Sequence, residues 1–200
     1  MNKPVFKSIL NPIVGPIVVT VITLTFIAFF YLPTLSSKNQ ENKIIDESLT
    51  LVNYLKTFRS YYSNDVVKKL KDKTDIVVGY DHEYSSNTIP LPATTIYTLS
   101  DRLAQNRGIK INFYSDYPFP NRKSRVLDGY QKKSIEYLRA NPSDIFIDED
   151  IIDGKKVLRV SVADIMISED CTSCHNNRGD TPKNNWKVGD VRGVFEVIEP

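Results

Sequence analysis

Ile145-Phe-Ile-Asp-Glu-Asp-Ile-Ile-Asp-Gly-Lys-Lys-Val-Leu-Arg-Val-Ser-Val162 decides the fold class of this chain. Two runs, residues 145–151 and 156–162, carry β-branched side chains on either side of Asp153-Gly154. An Asp-Gly pair between such runs is a two-residue hairpin turn, because both residues tolerate the positive φ the turn requires. A further run, Val191-Arg-Gly-Val-Phe-Glu-Val-Ile198, reads as a last strand. Strands gathered late in a chain, behind helices, predict an antiparallel sheet of the α+β class.

Upstream of the hairpin, helical and extended patterns alternate. Residues 38–71 place Ile45, Leu49, Val52, Leu55, Phe58, Tyr62, Val66 and Leu70 at close to a 3.6-residue period, which predicts a long helix. Residues 75–80 read as a short strand, followed by the polar loop Asp81-His-Glu-Tyr-Ser-Ser-Asn87. Ile89-Pro-Leu-Pro-Ala93 cannot be helical before Pro92, since a proline disfavours the helical region for the residue ahead of it. Helical spacing resumes over 94–106 and Gly108 is a natural stop. Residues 109–114 alternate as a half-buried strand does, and residues 126–140 predict a helix ended by Asn141-Pro142.

Between the hairpin and the last strand lies a loop, residues 168–190, containing Cys171-Thr-Ser-Cys-His175. C-x-x-C-H is the attachment signature of a c-type haem. Two thiols at this spacing can form thioethers to the two vinyl groups of one porphyrin, and the histidine is placed to ligate the iron. The chain has only two cysteines and two histidines, and three of those four residues fall within this pentapeptide. Cys171 and Cys174 are therefore the expected thioether residues, and His175 the proximal iron ligand of one covalent haem c. A thioredoxin-like redox pair, a plain disulfide and half of a zinc site are the competing readings. The disulfide would close a short, strained loop, and a zinc site lacks a second cysteine pair.

The amino terminus reads as a membrane address. No charged residue occurs between Lys7 and Lys38, and residues 17–32 are almost wholly apolar. With the Pro12 to Pro16 lead-in, this approaches the ~20 residues that a bilayer span requires. Lys3 and Lys7 precede it, which predicts a cytoplasmic amino terminus and an exported remainder. A cleaved signal peptide would carry a shorter apolar core and a small-x-small cleavage site, which residues 31–37 do not offer. The expected organisation is a cytoplasmic segment 1–11, a transmembrane anchor 12–35, a juxtamembrane helix 36–72 and a haem domain 73–200. The location expected is the bacterial cytoplasmic membrane, single-pass, with the haem domain on the periplasmic side. A net charge of +2 is too small to point to nucleic acid.

Several motifs occur together and in order: Ile89-Pro-Leu-Pro-Ala-Thr94, Tyr117-Pro-Phe-Pro-Asn-Arg122, the haem pentapeptide with Asn176, and Pro182-Lys-x-x-Trp-Lys-Val-Gly-Asp-Val-Arg-Gly193. This set resembles the PAS-like, c-type haem domains of bacterial extracytoplasmic sensor proteins and stand-alone cytochromes, over about residues 44–198. The resemblance implies a PAS-like antiparallel sheet with flanking helices and haem held at one side. It also implies a signal-input role, with a C-terminal signalling output module expected if the chain is a fragment. The abrupt end on a strand is read in that direction. Dimers through the leading helix are a further expectation.

The sixth iron ligand sets the function, since a strong one gives a closed electron-transfer haem and a weak one leaves room for a gas. His82 and Met166 are the candidates; a solvated surface histidine and a core methionine are the plainer readings. Some members of the family are thought to use a cysteine from elsewhere, and this chain has no third cysteine. Arg122, Lys123 and Arg125 are candidates for the haem propionates, and Trp186 for a haem edge or a loop anchor. No nucleophile–base–acid set or phosphate-binding loop occurs, so no enzyme is expected, a peroxidase-like activity being the weakest alternative. The chain therefore reads as a membrane-anchored haem sensor of redox state or a diatomic gas. The alternative is a tethered monohaem cytochrome serving a redox partner.

Overall fold

The computed structural model describes residues 6–70 and 75–200. Lys3, with the start of the expected cytoplasmic segment, and the last two residues of the expected 36–72 helix lie outside the described residues. Two compact units are formed, Met1–Ile44 and Ile45–Pro200.

In the first unit, helix α1 (Phe6–Phe26) passes through a π-helical turn (Ile27–Tyr31) into α2 (Leu32–Tyr61). Pro33 explains the π turn. Its ring would collide with the carbonyl of residue 29, and it brings no N–H of its own to the ladder. The wider turn absorbs the clash, and the Leu32 N–H reaches back to the Ile27 carbonyl. The hydroxyls of Thr20, Thr23, Thr25 and Thr34 donate to carbonyls four residues earlier. These four hydroxyls are thus satisfied within the helical run, as a hydrocarbon environment demands. The helical run Val14–Leu70 includes a stretch long and apolar enough to cross a membrane.

The second unit begins with the later turns of α2, which bury Ser48, Val52 and Leu55. A second π turn (Tyr62–Val67) and a short α3 (Lys68–Leu70) follow. Strands β1 (Val77–Gly79) and β2 (Thr88–Pro90) pair in parallel as a small separate sheet. Helix α4 (Pro92–Arg107) starts at the second proline of the Ile89-Pro-Leu-Pro run and ends at Gly108, whose φ of 72° makes the left-handed cap. Next come β3 (Lys110–Tyr114), α5 (Gly129–Ala140), β4 (Ile145–Ile152), β5 (Lys155–Ile165), α6 (Glu169–Asn177) and β6 (Val191–Glu199).

The main sheet is antiparallel, in the order β3-β6-β5-β4, so its first strand lies beside its last. This is the α+β, PAS-like arrangement expected. Asp153 and Gly154 stand at φ 52° and 75°, the hairpin turn read from their identities. Helix α5 starts at Gly129 rather than at 126, because Asp128 forms a capping box with Gln131 and stops the helix from extending backward. The stretch expected as the 168–190 loop also contains a helix, α6.

Successive residues of β3 and β6 face opposite sides, and each side has its own helices. On one side Ile111, Phe113, Phe195 and Val197 pack with Val52 and Leu55 of α2 and Ile96 of α4. Phe113 and Phe195 stack at 4.6 Å. On the other, Tyr114, Ala163, Val191 and Val194 pack with Ile135 and Leu138 of α5. Beneath α5 runs a buried polar network. Arg159, 3% exposed, meets Glu196, 0% exposed, together with Asp128 and Asp150.

Candidate functional site

Helix α6 carries the pentapeptide. Ser168 caps it, accepting the Cys171 N–H at 3.3 Å, and Glu169 and Asp170 place negative charge against the positive end of its dipole. Cys171, Cys174 and His175 stand at i, i+3 and i+4, so one helix face presents all three. Cys171 is half-buried, Cys174 exposed, and both are free thiols. The Ser168 hydroxyl lies 3.2 Å from the Cys171 sulfur.

His175 is turned inward. Its Nδ1 accepts a hydrogen bond from Arg192 Nε at 3.2 Å, and its ring lies 5.7 Å from that of Phe119. Burial, reinforced by the Arg192 charge, pushes its pKa down to about 3. The imidazole is therefore neutral throughout the physiological range, the form that ligates a metal.

Arg192 reaches this position through a β-bulge. Asp164 pairs with Gly193 and Ile165 with Val191, leaving Arg192 as the extra residue of β6. In an unbroken ladder Arg192 would face α5. The bulge turns it to the α2 side, where its guanidinium lies 5.6 Å from the Phe113 ring. Gly193 is required there, since a Cβ would sit 2.5 Å from the Tyr114 carbonyl oxygen.

Asp164, 3% exposed, faces Arg59, Arg192 and Lys56 together. Arg59 of α2 grips it with both terminal nitrogens, one of them at 3.1 Å. Arg192 Nη1 stands 3.9 Å away. Lys56 donates to the Ala163 carbonyl at 2.7 Å. Burial raises the Asp164 pKa, but the Arg59 charge and hydrogen bonds, with Arg192 and Lys56, outweigh it and hold the carboxyl below its usual range. Burial lowers Lys56 and Arg192, as expected where three cations share one anion.

The segment after α6 folds back and is tied down twice. Met166 N–H donates to the Asp190 carbonyl at 2.9 Å, and Gly189 N–H to the Met166 carbonyl at 2.8 Å. Asn176 donates to the Trp186 carbonyl at 3.0 Å and accepts its N–H at 2.9 Å. Trp186, buried against Tyr117 and beneath Lys183, anchors this segment.

The other residues singled out from the sequence lie apart from His175 in their contacts. Met166 is 2% exposed. His82 stands on a 3₁₀ turn (His82–Tyr84) after β1, and its buried Nδ1 has no hydrogen-bond partner. Arg122 lies 3.7 Å over the Tyr97 ring, Arg125 donates to the Phe113 carbonyl at 2.9 Å, and Lys123 is exposed. The cations whose charge acts on His175 are Arg192, Arg59 and Arg178. Two signals were present in the sequence: an aspartate between the apolar residues Ala163 and Ile165, and an arginine three residues after the histidine at 178.

Comparison with curated proteins gives no match. Among solved structures, the fold matches the crystal structure of the cyanobacterial heme-protein Tll0287 with a TM-score of 0.52 at 16% identity. The match covers 79% of this chain and 95% of that one. The Tll0287-like family model matches residues 37–200, which take in the later part of α2, the main sheet and α6. On that match, the chain belongs to the Tll0287-like family.

Proposed function

We propose that this chain is a membrane-anchored, extracytoplasmic c-type haem protein whose haem is the input element of a sensor of redox state or a diatomic gas. The observation that carries the reading is the single face of α6 presenting two free thiols and a half-buried imidazole that accepts a hydrogen bond from Arg192. The donor set fits one haem c: Cys171 and Cys174 for the thioethers, and His175 for the iron. The surplus of buried cations beside His175 also suits a group that brings two carboxylates. When bound, the haem supplies a one-electron centre able to take an axial ligand. The chain's own residues would hold it, with the Phe119 ring beside the imidazole and the Arg192 N–H on its Nδ1.

The sensor reading is supported by α2, which contributes Lys56 and Arg59 beside Asp164 and also contains residues of the first unit. A change at the haem would travel along it toward the apolar segment, provided the two states of the iron favour different arrangements. The output would lie with a partner protein, a signalling module joined to this chain, or a second copy paired through the leading helix.

A tethered electron carrier is the second reading, favoured by one observation. The buried Nδ1 of His82 lacks a partner, and such an orphan is costly unless a ligand or water completes it. His82 as sixth ligand would close the iron to gases. An optical spectrum of the chain, matured with covalent haem, separates the two readings. A reduced spectrum that shifts with carbon monoxide supports a gas sensor. One that does not shift, and that changes from low spin in H82A, supports a closed iron. Absence of covalent haem overturns both.

A further inference from the structure

We propose that ligation at His175 releases Arg192 from the imidazole, and that Asp164 passes this release to Arg59 on helix α2; this rests on the haem reading above. The argument begins with hydrogen-bond valence. Arg192 Nε–H donates to Nδ1 of His175. A neutral imidazole that accepts at Nδ1 carries its proton on Nε2. Ligation of iron through Nε2 needs a lone pair at that nitrogen and a proton on Nδ1. An N–H on Arg192 and an N–H on Nδ1 cannot point at one another, so ligation releases Arg192.

A released, buried guanidinium needs an anion. The Asp164 carboxylate already lies 3.9 Å from Arg192 Nη1 and is the partner at hand. Arg59 grips that same carboxylate through two nitrogens. The four lone-pair sites of one carboxylate can serve two guanidinium groups only if each yields some of its geometry. As Arg192 moves onto Asp164, Arg59 loosens, and α2 loses a tie to the sheet. Arg59 also rides 5.3 Å from Phe113 and 5.2 Å from Phe195, so its displacement acts on the core contact of α2. The bulge at Arg192 makes the competition possible, because it places both arginines on one side of the sheet.

The test uses the full chain in detergent, as matured covalent haem protein and as the haem-free C171S/C174S form. Amide hydrogen exchange over residues 52–61 is read by mass spectrometry. In the wild-type background, exchange there is expected to be at least threefold faster with haem than without. R192Q abolishes that difference while retaining covalent haem, and R192K restores part of it. The midpoint potential gives an independent readout. Loss of the cation beside His175 favours oxidised iron by about tenfold, which is ~59 mV for a one-electron couple, whereas R192K leaves it near wild type. If R192Q does not fold, R59Q answers instead, and its residues 52–61 are expected to exchange equally fast in both forms. A haem-dependent difference that survives R192Q or R59Q overturns the proposal. So does an unchanged potential in R192Q, or a wild type without any difference. Failure of the parent reading is distinguishable, because a pyridine haemochrome assay would then find no covalent haem in the wild type.

Discussion

Asp164→Asn tests the carboxylate that, among the described residues, ties Arg59, Arg192 and Lys56 together. Asn keeps the shape of the side chain but removes the charge facing Arg59, Arg192 and Lys56. The side chains of Asp164 and Arg59 are 5% and 22% exposed, so solvent cannot replace the lost partner. Breaking a buried ion pair from one side costs about 3–5 kcal/mol, since the surviving charge stays buried. In a domain of this size each kcal/mol lowers Tm by roughly 2–4 °C, so a fall of about 6–20 °C is expected. The assay is thermal unfolding of the haem-free chain in detergent, followed by near-ultraviolet circular dichroism. D164N/R59Q removes one of the stranded cations and is expected to be less destabilised than the sum of its single variants. Acid should act as the mutation does. The folded pKa of Asp164 lies below its unfolded value, so its contribution is present above that unfolded value and is lost as pH falls through the folded one. A Tm change under about 2 °C in D164N would refute the reasoning, because it would mean that the three cations are solvated rather than balanced by Asp164.

Two other outcomes are expected. Gly193→Ala puts a Cβ 2.5 Å from the Tyr114 carbonyl oxygen, so β3 and β6 must part at the bulge; a loss of about 1–3 kcal/mol is expected, and a thermal melt within 1 °C of wild type would show the strands yielding freely. His175 is held neutral, with its folded pKa pushed to about 3. Its unfolded form takes up a proton near pH 6.5, so stability of the haem-free chain falls as pH drops from that value toward 3, by at most about 1.4 kcal/mol per pH unit. H175N should flatten that part of a urea-unfolding profile against pH, and an unchanged profile would place the loss elsewhere.

Much of this fold was legible from local chemistry. Asp153-Gly154 has few alternatives to a tight turn, because its φ values exclude most other residues, and the strands on either side follow from it. Gly108 ends α4 for the same reason. The Ile89-Pro-Leu-Pro run was read correctly as non-helical, yet its role as β2 was not visible. A strand of three residues is defined by its partner, here β1, and not by any pattern of its own. Helix α6 escaped notice because its nine residues show no apolar period; its cap and dipole stabilise it.

The sequence by itself determined the pentapeptide, the α+β class and the apolar amino-terminal stretch, because each depends on residues close together in the chain. Once α6 forms, its spacing puts Cys171, Cys174 and His175 on one face. What surrounds His175 was decided only by the tertiary structure. Arg59, Asp164, Arg178 and Arg192 come from separate elements, and they act on the imidazole because sheet order and one β-bulge bring them together. Charge in a protein interior acts across a few ångströms of space, and separation along the chain does not enter. No reading of spacing could therefore place two arginines on a single buried aspartate.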